Sequence, residues 1–310
     1  MRTTAAVAAL DPLAGAAPTR RSAAVLATRN PSVRIGGVVL AIIVLIGVAA
    51  PYLGTVDPAQ INPAERNRRP GTESTVRGAD GTPFHVMHWM GTDSLGRDVY
   101  SRVLYGARVS LVVGVSVALI SATIGLAIGL VAGYLRWLDG TVMRVMDGFM
   151  SIPAILLAIA LVSLASAGLR TVIIAIVVPE IPRVVRLVRS VVLSIREEPY
   201  VEAAVALGAS TPVVLARHVL PNAVAPLIVQ ATFVCASAIL VEAILSFLGI
   251  GIPPQTPTWG NIMAEGRTLF RIFPHNILFP GAFLAATVLA VNMLGDGLRD
   301  SLDPRMRRRL

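Results

Sequence analysis

The sequence predicts an all-α polytopic membrane protein with six transmembrane helices. Three observations carry that prediction. Hydrophobic residues fill 55% of 310 positions and charged residues only 15%, with a mean hydropathy of +0.71. That balance lies outside the range of soluble domains. Apolar runs of about 20 residues recur, the length that crosses a bilayer core. The charges gather mainly between those runs.

In chain order, residues 1–32 are Ala-rich, carry Arg20, Arg21 and Arg29, and lack a secretory h-region followed by a cleavage site. They read as a flexible cytoplasmic tail. Residues 33–53 form the first span. Residues 54–104 are polar and breaker-rich, an extracytoplasmic segment too long for a hairpin loop. The core, 105–298, holds spans at about 109–133, 148–169, 171–195, 223–252 and 276–298, with a polar loop at 196–222. Residues 299–310 form a basic cytoplasmic tail. Ser121, Gly125, Gly129 and Gly133 recur every four residues, so the second span presents one face of small side chains to a close neighbour. Pro179 and Pro182 predict a kink or unwinding in the fourth span. Six spans put both termini on one side. Arginine counts are 17 on the side of the termini and of loop 196–222 against nine on the other, which makes that side cytoplasmic.

Composition also excludes. All 27 basic residues are arginine. A phosphate-binding Walker A loop needs a lysine, so any ATPase driving this chain is another polypeptide. The net charge of +9 comes with only 5% aromatics, and the arginines mostly flank apolar runs. They read as topology signals and partners of lipid headgroups, with no nucleic acid implied. Cys235 is the single cysteine, so no disulfide forms within the chain and no cysteine metal site exists. His85 and His88 read as a solvated loop pair. No metal site, no catalytic residue and no His-Glu-x-x-His pattern is found, and Gly295-Asp296 lacks the setting of an intramembrane protease.

Loop 196–222 is a polar helix–turn–helix. Pro199 suits a first helical position behind Glu197 and Glu198. Gly208 fits the left-handed residue after a helix end. Ser210 or Thr211 caps a short second helix with Pro212 in its first turn, and Asn222 is expected to cap the following span. Glu202-Ala203-Ala204, then Gly208-Ala209, Arg217-His218 and Leu220-Pro221-Asn222 resemble the EAA signature of ABC-importer permeases, specifically the dipeptide/oligopeptide/nickel branch. The general signature has Ile where this chain has His218. The resemblance implies that Tyr200, Glu202, Ala203, Ala204, Gly208, Ala209, Arg217, Leu220 and Pro221 dock on a cytoplasmic ATPase. Without it, the stretch is an ordinary amphipathic hairpin.

Two further blocks resemble the same branch: Gly91-Thr92-Asp93-x-x-Gly96-Arg97-Asp98, and Ser246-Phe247-Leu248-Gly249 with Pro253-Pro254 and Trp259-Gly260. Asp93, Arg97 and Asp98 can pair at the outer surface. They serve either as a rigid lead-in to the second span or as a docking site for a binding protein. Trp259 is of the type that sits at a membrane interface, in a loop suited to a gate, a docking rim or a stable turn. Glu242 is the one carboxylate in the fifth span. It either lines the translocation path or makes a structural hydrogen bond. Glu180 and Arg183 stay open as path residues or interface anchors; Arg189 reads as an anchor.

Together these blocks resemble a type-I ABC importer of the MetI-like transmembrane fold with a cytoplasmic coupling helix. The family implies a second homologous permease in a heterodimer, two ABC ATPase subunits that bind ATP and Mg, an extracytoplasmic substrate-binding protein, and the cytoplasmic membrane as location. Its solutes are di- or oligopeptides, with nickel or another small solute as the alternative. A passive channel or membrane scaffold is the rival from another class.

Overall fold

In a computed structural model, residues 28, 30–77 and 83–302 are described. Most of the proposed N-terminal tail and residues 303–310 of the basic tail lie outside them. Helix α1 (Pro31–Ala49) starts at Asn30, whose side chain accepts the Ser32 N–H at 2.9 Å, and it ends in a 3₁₀ turn, Ala50–Tyr52. Strands β1 (Thr72–Arg77) and β2 (Pro83–His88) pair antiparallel, with Thr72 opposite His88 and Ser74 opposite Val86. A hairpin therefore sits inside the segment expected to be one long loop.

Helix α2 (Val99–Tyr134) is the hub, and it starts about ten residues before the expected second span. Asp98 explains the early start: its carboxylate accepts the Ser101 N–H at 2.7 Å and fixes the first turn. Residues 99–104 therefore belong to the bundle. Near that end, Arg108 donates to the Gly47 and Val48 carbonyls at 2.5 and 2.9 Å, satisfying the open end of α1.

The third span is not one helix. Helices α3 (Arg136–Met150) and α4 (Ala154–Ser163) meet at a bend of 81°. Pro153 bars its predecessor from helical geometry, so the chain turns there. Ten residues of α4 rise about 15 Å, half a bilayer core. Helix α5 (Leu169–Ile195) runs unbroken through Pro179 and Pro182, against the expected unwinding. Each proline removes one backbone donor, and a 27-residue helix packed against α2, α4 and the later α8 survives both losses.

Helix α6 (Pro199–Ala206) leads to a turn and then to α7 (Thr211–Val214), a π turn (Leu215–Val219) and α8 (Leu220–Phe247). These last three form one continuous rod. Asn222 is thus inside a helix and caps nothing; its amide donates to the His218 carbonyl at 2.7 Å. The wide turn falls just where Pro221 cannot donate, which lets the rod continue. Helix α9 (Trp259–Gly266) is capped reciprocally by Thr258 and Asn261, and α10 (His275–Leu302) packs on α1 and α8.

Among the described residues, four helical stretches are long and apolar enough to cross a membrane: Pro31–Tyr52, Val99–Tyr134, Thr211–Phe247 and His275–Leu302, with the α3–α4 pair a fifth, bent candidate. Helix α5 carries Glu180, Arg183, Arg186 and Arg189 in its second half.

The small-residue face of α2 is where α5 docks. A Cβ added at Gly125, Gly129 or Gly133 would lie 2.5, 2.7 or 2.8 Å from the Cβ of Val184, Val188 or Val192. Three valines on one helix face thus fill the three gaps left by glycine on the other. The contact brings the two backbones close and accounts for much of the buried core. Replacing Gly129 with Leu should cost about 1–3 kcal/mol of stability through overpacking. Gly140→Leu, where an added Cβ meets nothing within 4 Å, should cost far less. Thermal unfolding of the detergent-solubilised variants compares the two directly.

Candidate functional site

Three polar sites stand out from this bundle. The first closes the end where α2 begins. Gly96 has φ +78° there, and an added Cβ would fall 1.8 Å from the Asn62 carbonyl oxygen, so only glycine fits the turn. That turn folds Asp93 onto its own backbone: the carboxylate accepts the Leu95 and Arg97 N–H groups at 2.8 and 2.9 Å and Arg97 Nε at 2.7 Å. Arg97 also pairs through Nη2 with Glu265 on α9. Arg102 lies 3.8 Å from Asp93 and 3.5 Å from Glu265. Both arginines donate to the Pro254 carbonyl at 3.4 Å. The two sequence blocks that resemble the permease branch therefore meet in one ionic cluster. Burial holds the Glu265 carboxyl above its ordinary range, against the smaller opposing pull of Arg102 and Arg97.

Beside this cluster, Asp98 accepts from Ser101 and pairs at 2.8 Å with His88 Nδ1, whose Nε2 lies 2.7 Å from Ser74 Oγ. His85 is exposed as expected, but His88 is buried. The hairpin places His88 on the face opposite α2, where Asp98 holds it. Trp259, expected at a membrane interface, is 0% exposed and donates to the Val103 carbonyl at 3.1 Å. Asp93, Arg97 and Asp98 are likewise buried. These side chains shape the surface of the capped end from beneath it.

The second site is within the bundle. Glu242 is 0% exposed and accepts from Ser246 at 2.7 Å and from Ser110 at 3.4 Å. Glu180 is also buried, yet it holds an exposed partner: Arg183 Nη1 lies 3.1 and 3.3 Å from its two oxygens, and Ser237 on α8 donates to it at 3.1 Å. Farther along α5, Arg186 pairs with Asp147 at 2.7 Å, and Arg189 pairs with Asp139 through both Nε and Nη2. Arg189 is thus an anchor between α3 and α5.

The third site is the turn between α6 and α7. Gly208 has φ +85° and nothing near it, as expected of a left-handed residue past a helix end. Ser210 stands at the next N-cap position but makes no capping bond through its side chain. Leu207 is 89% exposed, and Tyr200, Val205 and Val213 are about half exposed around it. Glu202, Ala203, Arg217 and Pro221 are exposed; Ala204, Ala209 and Leu220 are partly covered. Tyr200 packs on His218 with ring centroids 6.1 Å apart, and its hydroxyl accepts from Asn222 at 3.4 Å. His218 therefore braces the hairpin at the position where the general signature has Ile.

Sequence reasoning missed Glu265, Arg102 and the role of His88. Glu265 had one available signal, as the only acid between Ile250 and His275. The partners of His88 come from strand register and a helix cap, which no spacing rule supplies.

Residues 125–308 match the family described as binding-protein-dependent transport system inner membrane component. The chain belongs to that family. This permease is thus a non-catalytic membrane component and a multi-pass membrane protein. It is 51% identical over 285 residues, 92% of each chain, to a Sinorhizobium fredii protein named "Probable peptide ABC transporter permease protein y4tQ". It is 40% identical to the dipeptide transport system permease protein DppC of Alkalihalophilus pseudofirmus, over 90% of this chain and 88% of that one. Against the glutathione transport system permease protein GsiD of Escherichia coli, identity is 45% over 72% of this chain and 74% of that one. A solved chain of the inward-facing MetNI methionine ABC transporter matches with a TM-score of 0.53 at 21% identity, covering 65% of this permease and 97% of that chain. That likeness establishes the shared MetI-like fold.

The ionic cluster of this permease makes a stability prediction. Glu265→Ala should cost about 3–5 kcal/mol, because two buried arginines, Arg97 and Arg102, would be left with Asp93 as their one carboxylate partner. The exposed Glu73→Ala should change stability by less than about 0.5 kcal/mol. Denaturant unfolding of each variant gives the comparison.

Proposed function

We propose that this permease forms one half of the membrane channel of an ATP-driven importer of di- and oligopeptides. In this reading α4 and α5 complete six spans with the four long helices, and both termini lie in the cytoplasm. The partners are a second, homologous permease in a heterodimer, two ABC ATPase subunits that bind ATP and Mg, and an extracytoplasmic binding protein. The peptide class follows the names of the relatives at 51% and 40% identity.

The exposed α6–α7 turn is the observation that supports coupling most directly. Leu207, Val205 and Val213 form an apolar knob around Gly208, on a turn rich in exposed polar groups such as Glu202 and Arg217. A soluble partner that covers this knob gains buried apolar area, and the open space at Gly208 lets its backbone come close. Tyr200, Glu202, Ala203, Ala204, Gly208, Ala209, Arg217, Leu220 and Pro221 form or support this docking surface, which acts as the coupling helix. Closing of the ATPase pair then moves the turn, and the bundle alternates between inward-open and outward-open. The cluster of Asp93, Arg97, Asp98 and Trp259 holds the opposite rim in shape for the binding protein. Arg183, braced by Glu180, lines the path.

The test uses the complete complex in proteoliposomes. Gly208→Asp and Leu207→Asp should each cut peptide uptake and binding-protein-stimulated ATP hydrolysis at least about tenfold, while the two permeases still co-purify. Full uptake and stimulated hydrolysis in both variants would overturn the coupling assignment.

A further inference from the structure

The second half of α5 carries a polar stripe on its free side. Arg183, Arg186, Ser190 and Ser194 are all exposed, at steps of three, four and four residues that keep them on one helix side. In the other direction that side carries Glu180, Pro179 and Ile176, all buried. Arg183 stands where the exposed stripe begins, near the middle of the 27-residue helix and beside the Val184–Gly125 contact. Its side chain is 45% exposed. An arginine facing hydrocarbon at that depth would cost at least about 2.5–3.5 kcal/mol. A polar stripe running from it to the α6 end indicates a wet wall instead.

The three arginines on this half of α5 differ in which donors are free. Arg189 uses both Nε and Nη2 on Asp139, and Arg186 uses Nη2 on Asp147. Arg183 binds Glu180 through Nη1 alone. Its Nε and Nη2 make no bond within the described residues. Those two donors form the edge of guanidinium that grips a carboxylate with two parallel hydrogen bonds. Glu180, buried and held by Ser237, fixes the guanidinium from behind without covering that edge.

We propose that Arg183 receives the free carboxylate of the translocated peptide, its open edge binding the C-terminal group at the head of the wet α5 stripe. This rests on the reading of the chain as a peptide importer with the α6–α7 turn in the cytoplasm. Every unmodified peptide carries that carboxylate, so such a site accepts many side-chain sequences and selects for a free acid terminus.

The experiment needs neither ATP nor the binding protein. The full transporter, with Cys235→Ala and Ser190→Cys, is reconstituted with the cytoplasmic face outward. Labelling of the new thiol by a membrane-impermeant thiosulfonate is timed in the presence of tri-alanine or tri-alaninamide. Tri-alanine should slow labelling at a concentration about tenfold lower than the amide needs. Arg183→Gln should raise the tri-alanine concentration required about tenfold and leave the amide unchanged, and Arg183→Lys should restore part of the difference. Four outcomes would overturn the proposal: a thiol that does not label, no protection by either peptide, equal protection by acid and amide, or indifference to Arg183→Gln. The third is also what a carboxylate of the partner permease already seated on Arg183 would give. Peptide uptake and ATP hydrolysis by the parent complex judge the importer reading separately.

Discussion

A charged side chain inside an apolar bundle persists only where its charge is answered, and this permease answers it in three ways. At the capped end, Asp93, Arg97 and Arg102 are buried and, with the partly covered Glu265, neutralise one another. Between α3 and α5, Arg189 and Asp139 form a strut, and Arg186 pairs with Asp147 on the exposed side of the same two helices. Midway along α5, Glu180 is sealed in while Arg183 faces outward. The first two arrangements hold structure in place. Among the described residues, only the third leaves the Nε–Nη2 edge of its arginine without a bond.

Helix α2 makes these arrangements possible. Its glycine face lets α5 approach closely enough for Val184, Val188 and Val192 to fill the gaps, which places Arg183 and Arg186 on the opposite, free side. Its first turn, capped by Asp98, ties the hairpin through His88 and the α9 segment through Trp259. The exposed turn at Gly208 continues through α7 and the π turn into α8, and α8 carries the Ser237 that holds Glu180. From the exposed turn to the Glu180–Arg183 pair, the physical connection is one rod and one hydrogen bond.

The sequence made the helices and their signatures legible because both are local properties. Hydrophobic run length located the long helices, and the four-residue recurrence of Ser121, Gly125, Gly129 and Gly133 announced a close helix contact. The left-handed Gly208 was readable because few other residues adopt that conformation. Boundaries were less legible: the α2 start at Val99 depends on the Asp98 cap, and the bend at Pro153 divides what hydropathy reads as one span. Trp259 and His88 were misplaced because burial depends on which distant segment arrives to cover them. Trp259 meets α2 across 156 residues of sequence.

The amino-acid sequence by itself determined that the chain lives in a membrane, that it carries no lysine for a nucleotide-binding loop, and that a left-handed glycine turn divides its polar loop. Those conclusions follow from composition and short-range spacing, which do not change on folding. Only the tertiary structure decided which charges are spent on one another. Glu242 is closed in by Ser110 and Ser246, Glu265 is drawn in by Arg97 and Arg102, and Arg183 alone among its α5 neighbours keeps the Nε–Nη2 edge open. Pairing depends on distance in space, and helices brought together by a glycine face set those distances.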